Sequence, residues 1–373
     1  MDRPLGLYVH FPFCARKCAY CDFPSYAGKL SLRAPYTQAL CREIAERANS
    51  LPPLAADTVF LGGGTPSLMQ PQQMARILEC LREHFTILPD AEITCEANPG
   101  SLSADFLSTL RELGVNRLSF GAQSAQETEL KLLGRTHTWA QVEKSFGMAR
   151  AAGFQNISLD LLTGLPGQDW ETLRDTLEEA LRLSPCHISC YSLIIEEGTP
   201  FYSQVQNGLL PLPDETAERE MYWNVVEYLQ AEGFFQYEIS NFAKPGMACR
   251  HNLNCWKREE YLGFGAAAAG FYRGERRRNP MDPEGYLAGD PPEIQTVTPG
   301  DARFESVMLG LRMTAGLDAS AFYAAHAIRL MDAYPEAITR NTQNGLLQWA
   351  GEYLRLSRAG MDLMDRVLLD FLS

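Results

Sequence analysis

From Leu5 to about residue 240 the chain repeats one local grammar: a helix, a glycine just past its end, then a short apolar or β-branched strand. Glycine there permits the left-handed conformation that ends a helix. Leu5–Phe11 reads as the first strand. Tyr36, Leu40, Ile44 and Ala48, four residues apart, mark one face of a helix after Ser31. Thr58–Leu61 is a buried strand running into Gly62-Gly63-Gly64-Thr65-Pro66. The pattern then predicts a helix over 71–84 and a strand over 92–95. A helix ending at Leu113, closed by Gly114, precedes a strand over 116–120. Thr138 and Gln141 have capping-box spacing for a helix running to Gly153, ahead of the strand Asn156–Leu162. Asp169 caps a helix bearing Leu173, Leu177 and Leu181, before the strand His187–Ser192. Asp214 opens another, closed by Gly233, before Phe235–Ile239. Strands alternating with helices need crossover connections, which build a parallel sheet of right-handed units. Six or seven units predict an α/β fold closing wholly or partly into a barrel, with its chemistry at the C-terminal ends of the strands.

After this core, residues 273–300 are rich in Arg, Pro, Gly and Asp and read as a linker. Phe304–Ser373 reads as mostly helical, with Leu354–Leu356 a possible short strand. The expected division is 1–240, 241–300 and 301–373. With 33 Lys+Arg against 46 Asp+Glu the net charge is −13, so no basic surface for nucleic acid is expected. No apolar run approaches the roughly 20 residues of a membrane helix. Ten cysteines follow a start, Met1-Asp2-Arg3-Pro4, with no secretory leader, which points to a reducing, cytoplasmic compartment.

Three of the ten stand together in Phe13-Cys14-Ala15-Arg16-Lys17-Cys18-Ala19-Tyr20-Cys21-Asp22-Phe23, on a tight loop after the first strand. Three converging thiolates can hold three irons of a [4Fe–4S] cluster and leave the fourth open. The alternatives are chance clustering or a three-cysteine zinc site completed by His10, although zinc sites usually pair two distant Cys-x2-Cys knuckles. Cys41, Cys80, Cys95, Cys186 and Cys190 fall within helix or strand signals and read as packing.

The triplet after the first strand resembles the radical S-adenosylmethionine (SAM) superfamily. That resemblance implies a partial parallel (β/α)6 barrel of radical-SAM type, a cluster on Cys14, Cys18 and Cys21, and SAM on its open iron. Further positions implied to contact SAM are the glycine loop Gly62, Gly63, Gly64 and Thr65, the strand-end acid Glu96, and Gln123, Arg135 and Asp160. Tyr8, Tyr20 and the backbone near Ile194 also align with such contacts. The run Tyr8-x-His10-x-Pro12-Phe13-Cys14, with Asp160–Gln168 and the later His251–Trp256, is similar to the oxygen-independent coproporphyrinogen III oxidase family over nearly the whole chain.

Two branches of that family differ. The oxidases carry an N-terminal extension and a cysteine two residues past the triplet. Here the first strand starts at Leu5 and position 23 is Phe, as in the heme-chaperone branch. That branch carries an H-N-x-x-Y-W peptide linked to heme, read here as His251-Asn252-Leu253-Asn254-Cys255-Trp256 with cysteine for tyrosine. Imidazole is a standard axial heme ligand and Trp256 offers a flat apolar face. Arg276-Arg277-Arg278 either meets heme propionates or is a solvated charge run. The C-terminal segment resembles the family's small winged-helix-like cap. The resemblance implies a heme chaperone that hands heme to an apo-hemoprotein, with a low-potential electron donor and peripheral membrane association as further partners. Its rival is the oxidase of porphyrin biosynthesis, which decarboxylates two propionates of coproporphyrinogen III; this chain is not expected to be an active one.

Overall fold

A computed structural model describes residues 4–372; the reading of Met1–Arg3 as free of a leader lies outside them. Six strands follow one another in the sheet in chain order, each parallel to the last: β1 (Leu5–Phe11), β2 (Ala55–Gly63), β3 (Thr86–Ala97), β4 (Arg117–Gln123), β5 (Asn156–Thr163) and β6 (His187–Ser192). The crossovers carry α1 (Arg33–Asn49), α2 (Pro71–His84), α3 (Ala104–Glu112), α4 (Trp139–Ala151) and α5 (Trp170–Arg182). The predicted caps form: Thr138 and Gln141 make a reciprocal box, and Asp169 accepts from the Thr172 N–H. Gly114 and Gly153 take φ of 75° and 91°, as left-handed helix ends require.

Alternation sets what each strand buries. Leu7, Val9 and Phe11 of β1 join the main core with Tyr36, Leu40 and Ile44 of α1 and Leu78 and Leu81 of α2. The intervening Tyr8 and His10 face inward with Phe60, Glu96 and Asp160 of the neighbouring strands. The inner face is therefore polar, while the outer face supplies the apolar core.

Three expectations are corrected. The seventh strand is not the neighbour of β6: after α6 (Glu215–Ala231), β7 (Phe235–Glu238) and β8 (Asn241–Ala243) form an antiparallel hairpin, with β8, not β7, against β6. The two residues between them cannot make a crossover, which needs a dozen or more. Next comes the short helix α7 (Arg250–Trp256), and then β9 (Tyr261–Phe264) lies parallel to the other edge of β1.

Residues 273–300 are not a linker. β10 (Ala269–Tyr272), β11 (Glu275–Arg278) and β12 (Glu293–Thr296) extend the sheet to twelve strands. Arg273 and Gly274, at φ 50° and 76°, make the turn between β10 and β11, a pairing of left-handed residues suited to a two-residue hairpin. The charge run disguised a strand paired on both sides, with β10 and with β12. Arg276 reaches Glu305 at 2.8 Å rather than open solvent.

The C-terminal region has a core of its own, including Val307, Leu311, Leu354 and Val367. Beside α8 (Pro299–Gly310) and further helices it carries three strands, β13 (Leu317–Asp318), β14 (Leu347–Ala350) and β15 (Tyr353–Leu356), where only the last was expected. No helix of the described residues is long and apolar enough to cross a membrane.

Candidate functional site

The cysteine loop is held at both ends by backbone and inner-face groups. Phe13–Cys14 pairs with Tyr26–Ala27, and the Pro24 carbonyl lies 2.8 Å from His10 Nε2. His10 Nδ1 in turn meets the Tyr8 hydroxyl at 2.8 Å. Ala19 N–H donates to the Leu133 carbonyl and Ala19 C=O accepts from Phe201 N–H, fastening the loop to a small core of Leu133, Leu162, Leu165, Phe201 and Leu210.

Below the loop, at the C-terminal ends of the parallel strands, is a cavity of about 460 Å³. It is lined by Cys14, Cys18, Cys21, Tyr20, Gly63, Gly64, Thr65, Glu96, Gln123, Arg135, Asp160 and Ile194, so the structure brings most of the expected cluster and SAM residues to one place. Gly62 and Tyr8 stand behind that wall. A Cβ on Gly64 would lie 2.7 Å from the Phe11 carbonyl oxygen, and one on Gly63 (φ 109°) 2.5 Å from the His10 ring. Glycine is thus required at both positions by the neighbouring backbone and ring.

The three thiols are free and half-buried. Their sulfurs do not all fall within 4.8 Å of one another, the closeness a single tetrahedral ion would need. A cluster, in which each thiolate takes its own iron, suits the wider spread. Arg135 Nη1 donates to Cys18 Sγ at 3.4 Å and Nη2 to the Gly121 carbonyl at 2.7 Å and to Asn98 Oδ1. The guanidinium thereby sets a fixed positive charge against the loop. Cys14 Sγ lies 3.5 Å from Thr65 Oγ1. Burial, more than any charge, pushes the Cys21 thiol and the Tyr20 phenol up.

Opposite the thiols stand two carboxyls. Asp160 accepts from the hydroxyls of Ser119 (2.9 Å) and Ser189 (2.7 Å), and burial raises its pKa despite them. Glu96 accepts from Gly63 N–H at 3.0 Å. Its pKa is pushed up to about 8, first by burial and then by Asp160. Gln123 adopts φ 68° at a bulge, where β4 slips against β5 between Gly121 and Gln123. Bulges next to sites re-aim side chains. Phe23 and Ile194, 66% and 67% exposed, leave the mouth apolar. Ser119 and Asn98 were not singled out from the sequence, and His10 entered only as a zinc-site alternative and as part of the family run. Ser119 sits on a predicted strand, four residues before Gln123 on the same face, which was the available signal.

The raised Glu96 has a measurable consequence. Unfolded, it titrates at its ordinary value of 4.5; folded, near 8. The stability tied to its proton is whole below the lower value and lost as pH rises through the upper one. Glu96→Gln, which never ionises, should gain on the ligand-free wild type between about pH 5 and about pH 9 in urea unfolding. A difference that is flat with pH would contradict this.

The motif at 251–256 lies elsewhere. Its helix α7 closes the end of the sheet where the parallel strands begin. His251 is 5% exposed; its Nδ1 lies 3.0 Å from Thr58 Oγ1 and its ring stacks on Phe60 at 5.1 Å. Glu92 accepts from His251 N–H at 3.1 Å and from the Cys249 thiol at 3.4 Å, and lies 3.8 Å from the buried Arg117. Trp256 lies under the Arg312 guanidinium, 4.5 Å away, and Asn252 is half-buried. These three residues do not join the cavity, and His251 presents no open face for a porphyrin here. Burial pushes the Cys255 thiol up to about 11, so it is protonated at neutral pH. Burial also lowers His251 to about 4, leaving it neutral.

The radical SAM superfamily model matches residues 8–180 and the HemN C-terminal domain model residues 297–363. A protein named heme chaperone HemW from Bacillus subtilis (strain 168) is 38% identical over 98% of each chain. Its namesake from Escherichia coli (strain K12) is 35% identical over 99% of this chain and 98% of its own. The structure of coproporphyrinogen III oxidase (HemN) from Escherichia coli superposes with a TM-score of 0.86 over 100% of this chain and 91% of its own, at 24% identity, which speaks for the fold. Full-length identity at this level, on a fold whose cavity gathers the cysteine triplet, makes this chain a member of the HemW family within the radical SAM superfamily.

Proposed function

We propose that the protein is a heme chaperone that holds a [4Fe–4S] cluster and SAM, binds heme, and passes it to an apo-hemoprotein. The observation that carries this reading is the similarity over nearly the whole length to proteins named heme chaperones. Cys14, Cys18 and Cys21 would hold the cluster, which when bound supplies single electrons and an open iron for the amino and carboxylate groups of SAM. Gly64, Thr65, Gln123 and the two carboxyls would orient SAM, with Tyr20 and Ile194 at its flanks; Tyr8, behind the wall, would steady His10. Arg135 would neutralise thiolate charge through Cys18. Asp160, saturated by serine hydroxyls, is a rigid acceptor rather than a mobile base.

Heme contact is assigned by the same reading to His251, Asn252 and Trp256. Because His251 is bonded and stacked, that contact requires α7 to leave the floor of the sheet. The reading also takes a low-potential electron donor as partner, places the protein in the cytoplasm and keeps any membrane association peripheral.

Two measurements test it. Heme added to the reconstituted protein should give a saturable Soret band, weakened about 10-fold or more by His251→Ala. Anaerobic incubation with coproporphyrinogen III, SAM and reductant should release no carbon dioxide above background. Absence of saturable heme binding, or multiple turnovers to protoporphyrinogen IX, would replace the chaperone reading with the oxidase one or with neither.

A further inference from the structure

The outer face of the first two helices carries a thiol cluster that the cavity does not use. Cys80, Glu83 and His84 share the last turn of α2, and one ligand atom from each lies within 4.8 Å of those of the other two. Cys80 and His84 are four residues apart, the spacing that stacks two side chains on one helix face. Across the helix pair, α1 brings Cys41: the Cys80 thiol reaches the Cys41 carbonyl at 3.4 Å, and the Cys41 thiol meets the Cys80 sulfur and the Arg76 carbonyl, the latter at 3.8 Å. His84 makes no hydrogen bond or ion pair among the described residues, so its ring nitrogens are available. Glu83 is partly engaged, since Arg76 Nη1 reaches both its oxygens at 3.2 Å. None of these residues lines the cavity.

Two thiols and an imidazole are a donor set for zinc-class or other thiophilic ions, and a poor one for magnesium or calcium, which want oxygen. Cys80 is buried, His84 half-buried and Glu83 exposed, a gradient with the soft ligands inside and a solvent-facing position outside. The Cys41 sulfur, beside that of Cys80 but outside the trio, has only to turn toward His84 to complete three protein ligands. We propose that Cys41, Cys80 and His84, with Glu83 or a water closing the tetrahedron, bind one zinc-class cation that clamps α1 to α2. Binding replaces two thiol protons by the metal, so affinity rises with pH.

The test uses the full chain with its cluster reconstituted, kept anaerobic, and Zn2+ in competition with a chromogenic chelator. One equivalent of zinc should resist the chelator, with about 10-fold or more loss of affinity in Cys80→Ser and in His84→Ala. The second variant alters a partly exposed side chain and keeps the core intact, so a folding defect in the first does not confuse the result. Cys14→Ala should leave this equivalent in place. The proposal is overturned if wild type retains no zinc, if His84→Ala and Cys80→Ser hold it as tightly as wild type, or if only removal of the loop cysteines releases it. None of these results bears on heme delivery.

Discussion

Serine in place of Cys14, Cys18 or Cys21 should give a folded, colourless protein lacking the roughly four irons per chain of the reconstituted wild type. The expectation rests on how little of the loop's shape depends on sulfur. Its ends are set by the Phe13–Cys14 and Tyr26–Ala27 pairing, by His10 on the Pro24 carbonyl, and by the Ala19 bonds to Leu133 and Phe201. The thiols are half-buried and make few contacts, so replacing one oxygen-for-sulfur should move stability by no more than about 1 kcal/mol. Circular dichroism and urea unfolding should overlay on the ligand-free wild type, while iron, acid-labile sulfide and the brown absorption vanish together. If all three variants keep the chromophore, the triplet is not the ligand set.

Arg117→Met should destabilise the protein by about 3–5 kcal/mol. Arg117 is 2% exposed and holds three groups: Glu92 at 3.8 Å, the Met247 carbonyl at 3.0 Å and Asn156 Oδ1 at 3.2 Å. Truncating it leaves the Glu92 carboxylate without a cation in a dry site, with only the His251 N–H and the Cys249 thiol as donors. The loss therefore includes the penalty of an orphaned buried charge and not merely a missing contact. The double variant Glu92→Gln/Arg117→Met should be less harmed than the single one, because no charge is then stranded. Urea midpoints at neutral pH measure both. A double variant worse than the sum of the singles would mean the pair is not coupled in this way.

Much of this protein could be read along the chain because its signals are local. Helix-ending glycines such as Gly114 and Gly153, caps such as Thr138 and Asp169, and short apolar strands each depend on a few neighbours, and they order the six parallel strands. The cysteine triplet lies within eight residues, so its convergence needed no tertiary knowledge. Two readings failed where the local signal was ambiguous. Arg276–Arg278 looked like a solvated linker, since consecutive arginines carry no strand signal, although β11 pairs with β10 on one side and β12 on the other. Phe235–Glu238 has strand composition, which carries no information on which strand becomes its neighbour: β8 takes the place beside β6.

Which side chains meet, and which are withheld, was decided by the tertiary structure alone. Asp160 and Glu96 are 64 residues apart in sequence, yet Asp160 raises the pKa of Glu96 across the inner face. Asn98 and Ser119 enter the site only because adjacent parallel strands end at the same level. The sharpest case is His251. Its motif is legible by residue type, but an imidazole on the floor of a sheet, stacked on Phe60 and bonded to Thr58, is a different chemical object from one at a cavity mouth. Residue type determined what each group can do; long-range packing, which sets burial and access, determined which of those things it is placed to do.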